Sequence, residues 1–154
     1  MSPRTFGLIF GSAIVLFTGC NLMNARFAPR IGSDRILRAA TIVPIVFGPL
    51  GLALALIEKQ TGAIGWWPFL FFIVPHVDMM ALVVPNATAM ALQRYPHMAG
   101  TASSLMGVLQ YGIGSLFGVA VGQAFDGTMV PLTAALAVAG TLCFASHRLL
   151  VPRG

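Results

Sequence analysis

Seven polar side chains interrupt otherwise apolar stretches of this chain: Asn21, Asp78, Asn86, Gln110, Tyr111, Ser115 and Gln123. Amides and hydroxyls set in apolar walls can solvate a partly polar molecule. A carboxyl among them adds a group that takes up and releases a proton. Asp78, Gln110, Tyr111, Ser115 and Asn21 are therefore the candidates for a substrate or proton pathway. Asp78 lies about 16 Å past Trp67 along a helix, near the middle of a hydrocarbon core about 30 Å thick. An ionisable group at that depth is costly and marks function by default. The places one turn away on its own helix hold Val74, Pro75, Ala81 and Leu82, so a partner must come from another helix or from water. Ser115 is expected at a comparable depth, with Tyr111 a turn below. Two roles stay open for Asp78: a proton carrier, or a neutral carboxyl hydrogen-bonded for packing. Met79, Met80 and Met106 could offer a soft surface for varied ligands, although ordinary lipid-facing or core packing is the favoured reading of methionines here.

Catalysis finds less support. There is no G-x-S-x-G, no H-E-x-x-H and no phosphate loop. His76, His97 and His147 are scattered, and no metal site is expected. His76 and Asp78, two apart, point to nearly opposite sides of a helix. An intramembrane enzyme built on either would lack a paired catalytic acid. Gly112-Ile113-Gly114 follows no strand, so it makes no nucleotide fingerprint. Cys20 and Cys143 sit in apolar segments as small buried hydrophobes. No catalytic residue, cofactor or metal is assigned.

The elements that must position these residues follow from composition. The chain is 57% hydrophobic and only 8% charged, against about a quarter charged in soluble domains. The fitting solvent is the lipid bilayer, and the fold class is an all-α membrane protein. The net charge of +5 reflects basic loops on one side of the membrane rather than nucleic-acid binding. One transmembrane domain over residues 1–154 is expected, with five spans at about 6–23, 39–57, 67–92, 104–125 and 130–150. Phe17-Thr18-Gly19-Cys20 imitates a lipid-attachment signal, but further spans follow where a soluble mature protein should begin. Asn24 is expected to bond backbone or a neighbouring helix. Pro44 and Pro49 interrupt the second span, and Pro75 and Pro85 kink the long third one. Trp66 and Trp67 suit an interfacial belt. Gly114, Gly118 and Gly122 recur every fourth residue and predict a helix-packing face. Arg26, Arg30, Arg35, Arg38, Arg94, Arg148 and Arg153 fall on one side of such a bundle, with Arg4 and Lys59 on the other. The arginine-rich segment 26–38 then reads as a cytoplasmic loop, with the N-terminus outside and the C-terminus inside.

Pro96-His97-Met98-Ala99-Gly100-Thr101-Ala102-Ser103-Ser104-Leu105, followed by Gly112-Ile113-Gly114, resembles the junction of the tenth and eleventh spans of Bcr/CflA-type drug-efflux transporters. These belong to the major facilitator superfamily. Pro85-Asn86-Ala87-Thr88-Ala89 also resembles that family, and the likeness runs from about Phe6 to the end. It implies the last five of twelve spans, a partial C-terminal bundle, and a chain that is a fragment or a truncated frame. It further implies proton-coupled efflux of small amphipathic drugs across a bacterial inner membrane, completed by the missing N-terminal spans. Arg30-Ile31-Gly32 resembles the R-x-G part of the family's signature loop, with Arg35 beyond it, but Pro29 replaces the acidic residue that usually comes first. In the family, the equivalents of the first, third and fourth spans face the central cavity. The alternative is a five-span membrane protein with an assembly or interaction role and no transport of its own.

Overall fold

A computed structural model describes residues 3–150 of the chain. The tail at 151–154, Arg153 included, lies outside the described residues. Seven α-helices and one 3₁₀ turn, joined by short turns, make up the secondary structure of the described residues, without a strand among them. The helices are α1 (Pro3–Ile31), α2 (Ser33–Ala40), α3 (Ile42–Thr61), α4 (Trp67–Asp78), α5 (Met80–Gln93), α6 (Ala99–Gln123) and α7 (Val130–Leu150). They compose five segments long and apolar enough to cross a membrane, because α2 continues into α3 and α4 into α5.

Helix α1 has 29 residues and is about 43 Å long, well beyond a 30 Å core. Its excess carries the arginine-rich segment. The segment read as a loop is therefore helical, and only Gly32 interrupts it. Gly32 has φ 91°, a conformation that glycine adopts without a side-chain clash. Its N–H still donates to the Ala28 carbonyl at 2.9 Å. Arg30 lies in the last turn of α1, and Arg35 stands on α2.

The prolines act less uniformly than their number suggests. Pro44 falls in the first turn of α3, where its missing N–H is no loss, and Thr41 marks the break before it. Pro49 and Pro85 stay inside unbroken helices. The third span breaks at Met79, four residues after Pro75. The Met79 N–H donates to the Pro75 carbonyl at 3.1 Å, so the span is interrupted without losing the chain direction.

Packing centres on α3 and α7. Pro44, Gly48, Gly51 and Ala55 are the buried residues of α3. Thr133, Ala137, Gly140 and His147 are buried on α7. Both stripes advance by steps of four and three, the spacing of one helix face. Pro44 meets Gly140, Gly48 meets Ala137 and Gly51 lies near Thr133. One series rises as the other falls, so the helices run antiparallel. Small residues let the backbones approach closely: a Cβ added at Gly48 would stand 2.8 Å from the Ala137 Cα. Phe47 adds ring contacts to Phe71 and Phe72 of α4, at 5.7 and 5.9 Å between centroids. A second cluster joins Leu37 and Ala40 of α2 to Val83 of α5, with Met79, Met90 and Cys143 around it.

The glycine face of α6 has no partner among the described residues. Gly114, Gly118 and Gly122 have no neighbour within 4 Å of an added Cβ, and no residue of α6 is buried. The close approach that its spacing predicts occurs instead on α3 and α7. Four-residue spacing of small residues permits close packing but does not select which helix receives a partner.

Candidate functional site

Two clefts flank α1, and Phe17 lines both. The first lies between α1 and α4 and has a volume of about 470 Å³. Ile9, Ile14, Leu70, Val74 and Val77 make it almost wholly apolar, and Asp78 is its one ionisable group. Asp78 is the last residue of α4, beside the break at Met79. It is 7% exposed, and no hydrogen bond or ion pair reaches it among the described residues. His76 is 3% exposed, and its Nδ1 has no hydrogen-bond partner. The span thus buries two ionisable groups within one turn of its break. An unpaired carboxyl there is a costly arrangement.

The second cleft, of about 670 Å³, lies between α1, α5 and the facing side of α6. Asn21, Thr88 and Gln110 supply its polar groups, while Phe17, Met80 and Leu92 supply apolar wall. Amides set among apolar side chains fit a ligand that is mostly apolar with a few polar atoms. Met80 is the methionine that lines it. Met79 packs into the α2–α5 cluster, and Met106 joins neither cleft.

The sequence candidates are therefore divided. Asn21 and Gln110 share one cleft, and Asp78 lines the next, joined to it through Phe17. Tyr111 is 76% exposed and Ser115 is exposed. Neither lines a cleft with Asp78 within this chain. Helical rotation explains this: Gln110 and Tyr111 are about 100° apart around α6, so one faces α5 and the other does not.

One buried polar contact was only half legible. The Asn86 side-chain amide donates to Asn24 Oδ1 at 2.7 Å and to the Leu82 carbonyl at 2.8 Å. Both asparagines are buried. Asn24 was expected to bond backbone or a neighbouring helix, and the partner proves to be on α5. Asn21 and Asn24 are three residues apart on α1, so the bond that ties α1 to α5 also holds Asn21 at the mouth of the cleft.

The two ends of the bundle differ in charge. At one end, Asp34 pairs with Arg38 at 2.6 Å on the exposed face of α2. At the other, Lys59 donates to Asp126 Oδ2 at 2.7 Å, tying the end of α3 to the α6–α7 turn. The Lys59 ammonium, then the Thr128 hydroxyl and N–H, hold the Asp126 carboxyl well below the usual carboxylate range. Among the described residues no cluster of His, Cys, Asp and Glu could hold a metal ion.

Comparison with known proteins gives the chain relatives. It is 31% identical over 127 residues to a bicyclomycin resistance protein homolog of Haemophilus influenzae, covering 82% of this chain and 31% of the relative. It is 27% identical over 148 residues to an uncharacterized MFS-type transporter of Bacillus subtilis, covering 94% of this chain and 35% of the relative. The chain thus spans about a third of the length of the curated relatives it matches. No family model matches, and no solved structure matches.

Proposed function

The chain is homologous to Bcr/MFS-type transporters along most of its length, and from that premise we propose that it supplies the C-terminal wall of a proton-coupled drug-efflux transporter. Its setting would be a bacterial inner membrane. The observation that carries this reading is the pair of clefts on α1. One holds amides from Asn21 and Gln110 among apolar side chains, and its neighbour holds the unpaired carboxyl of Asp78. Small amphipathic molecules fit the first, and proton exchange fits the second. Phe17, common to both, offers a mechanical link between them.

Alternating access in such transporters rocks one repeat against another around a midplane site. Five spans make one wall of such a site. The exposed faces of α6, including Gly114, Gly118, Gly122, Tyr111 and Ser115, are then surfaces for the remaining spans. This reading also accounts for a helix that spans the membrane while burying nothing within its own chain.

The test uses the chain completed with the spans of its transporter, in proteoliposomes with an imposed proton gradient. Drug efflux should be lost in Asp78→Asn, which keeps the hydrogen-bonding shape but removes titration. It should be weakened, with coupling intact, in Gln110→Leu. Full-rate efflux from Asp78→Asn at every pH would refute the proton-carrier role and leave Asp78 a packing residue.

A further inference from the structure

The arginine-rich end of the bundle holds a cleft that the proposed transport path does not use. It lies between α2 and α7, has a volume of about 480 Å³, and is lined by Arg35, Arg38, Ile42, Phe144, His147 and Arg148. Arg35 and Arg38 stand three residues apart on α2. Arg148 comes from the far end of the chain, in the last turn of α7. Three guanidinium groups from two helices thus converge on one opening.

Their charge is incompletely matched. Among the described residues Asp34 is the one carboxylate near them, and it pairs with Arg38 at 2.6 Å. Arg35 and Arg148 form no ion pair among the described residues. His147 Nε2 stands 3.7 Å from Asp34 Oδ1, too long for a hydrogen bond. The ring is buried, with that nitrogen lacking a hydrogen-bond partner. Arg148 lies 5.1 Å over the Phe144 ring, which restrains the side chain beside the opening.

The position of the cleft selects its ligand. It sits where α2 enters its span and α7 leaves its own, a place that a bilayer around these spans would put near its headgroups. Ile42 and Phe144 continue its wall toward the hydrocarbon. Arginine forks match phosphate oxygens in two-point hydrogen bonds. Basic pockets between helices at a membrane surface bind acidic lipid headgroups. We propose that this cleft is a binding site for the phosphate of an anionic phospholipid, held by Arg35 and Arg148, with an acyl chain along Ile42 and Phe144. A free phosphate ion would use the same guanidinium groups but gain nothing from the apolar wall. The bound lipid joins α2 to α7 at the end opposite the Lys59–Asp126 pair. This site does not depend on transport, and its test does not measure transport.

The experiment is native mass spectrometry of the purified full chain in a neutral detergent, titrated with phosphatidylglycerol or phosphatidylcholine. Phosphatidylglycerol should be retained and phosphatidylcholine should not. Arg35→Gln and Arg148→Gln should each weaken retention about fivefold. The corresponding lysine variants should lose less. Arg94→Gln, at the same end but outside the cleft, should bind as the parent does. Circular dichroism and gel filtration establish that each variant is folded, and the lysine variants preserve the test if a glutamine variant is not. Equal retention of the two lipids would overturn the proposal. So would an equal loss in Arg94→Gln. Complete displacement by millimolar inorganic phosphate would assign the site to free phosphate and overturn the lipid assignment.

Discussion

Gly140→Ala should destabilise the bundle, whereas the same change at Gly114 should not. A Cβ at position 140 would lie 2.5 Å from the Pro44 carbonyl oxygen and 2.7 Å from its carbon. Real Cβ contacts essentially never fall under 3.0 Å, so α3 and α7 must separate by about half an ångström. The obstructing atoms are backbone, and no side-chain rotation relieves them. Overpacking of this kind costs about 1–3 kcal/mol. Replacing glycine by alanine within a helix contributes up to about 1 kcal/mol in the opposite direction. That gain is common to both positions, and Gly114 has open space around it. The difference between the two variants therefore isolates the α3–α7 contact at about 1–3 kcal/mol. In lipid such contacts are the main force holding helices together. The assay is reversible unfolding of the chain in mixed micelles, followed by the fluorescence of Trp66 and Trp67. Equal midpoints for Gly140→Ala and Gly114→Ala would refute the seam as the centre of packing.

Three further outcomes are expected. Asn86→Leu leaves Asn24 buried without its partner and should cost about 1–3 kcal/mol, while the Asn24→Leu, Asn86→Leu pair should recover part of that loss in a double-mutant cycle in the same micelles. The Asp126 carboxyl is held below its unfolded value, so its contribution is present above the ordinary carboxylate range near 3.9 and fades as pH falls through the lower folded value; Asp126→Asn should flatten this acid-side slope in a pH titration of stability by lowering stability at neutral pH and not in acid, and both effects should be small because the pair is solvent-exposed. In intact cells carrying a cysteine-free background, an impermeant thiol reagent should label a cysteine placed at Gln60 and spare one at Ser33; the reverse pattern would invert the assigned orientation.

Five spans were legible in the sequence because apolar length alone is informative in a bilayer. The burial of Asp78 was legible for a related reason, since a lone carboxyl deep in an apolar run has few places to go. The choice among glycine stripes was harder. Gly114, Gly118 and Gly122 stand out by regular spacing, yet the chain packs through Pro44, Gly48, Gly51 and Ala55 against Thr133, Ala137 and Gly140. The latter stripes were present in the sequence as alternating steps of four and three. They mix glycine with alanine, threonine and proline, so no single residue type announces them. The Asn24–Asn86 bond spans 62 positions, and only tertiary placement pairs those two amides. The helical character of residues 26–31 was masked by charge, because arginines at the membrane surface read as a loop although they are good helix formers.

The division of packing bears on how the clefts could change shape. The α3–α7 seam is backbone against backbone at Gly48 and Gly140, so sliding there meets immediate overlap. It is the fixed part of the bundle. Helix α1 buries only Asn24 among its described side chains, and α6 buries none. These two helices border the amide-lined cleft, which makes its walls the least constrained elements of the fold. The third span is interrupted at Met79, beside Asp78 and between the two clefts. A bend at that break would tilt α4 against α1 while α5 stays tied to α1 through Asn86 and Asn24. The groove around Asp78 would then open or close with Phe17 as its shared wall. The groove that holds the carboxyl would thus follow the motion of α4, while the cleft that holds Asn21 and Gln110, walled by α1, α5 and α6, meets that motion through Phe17.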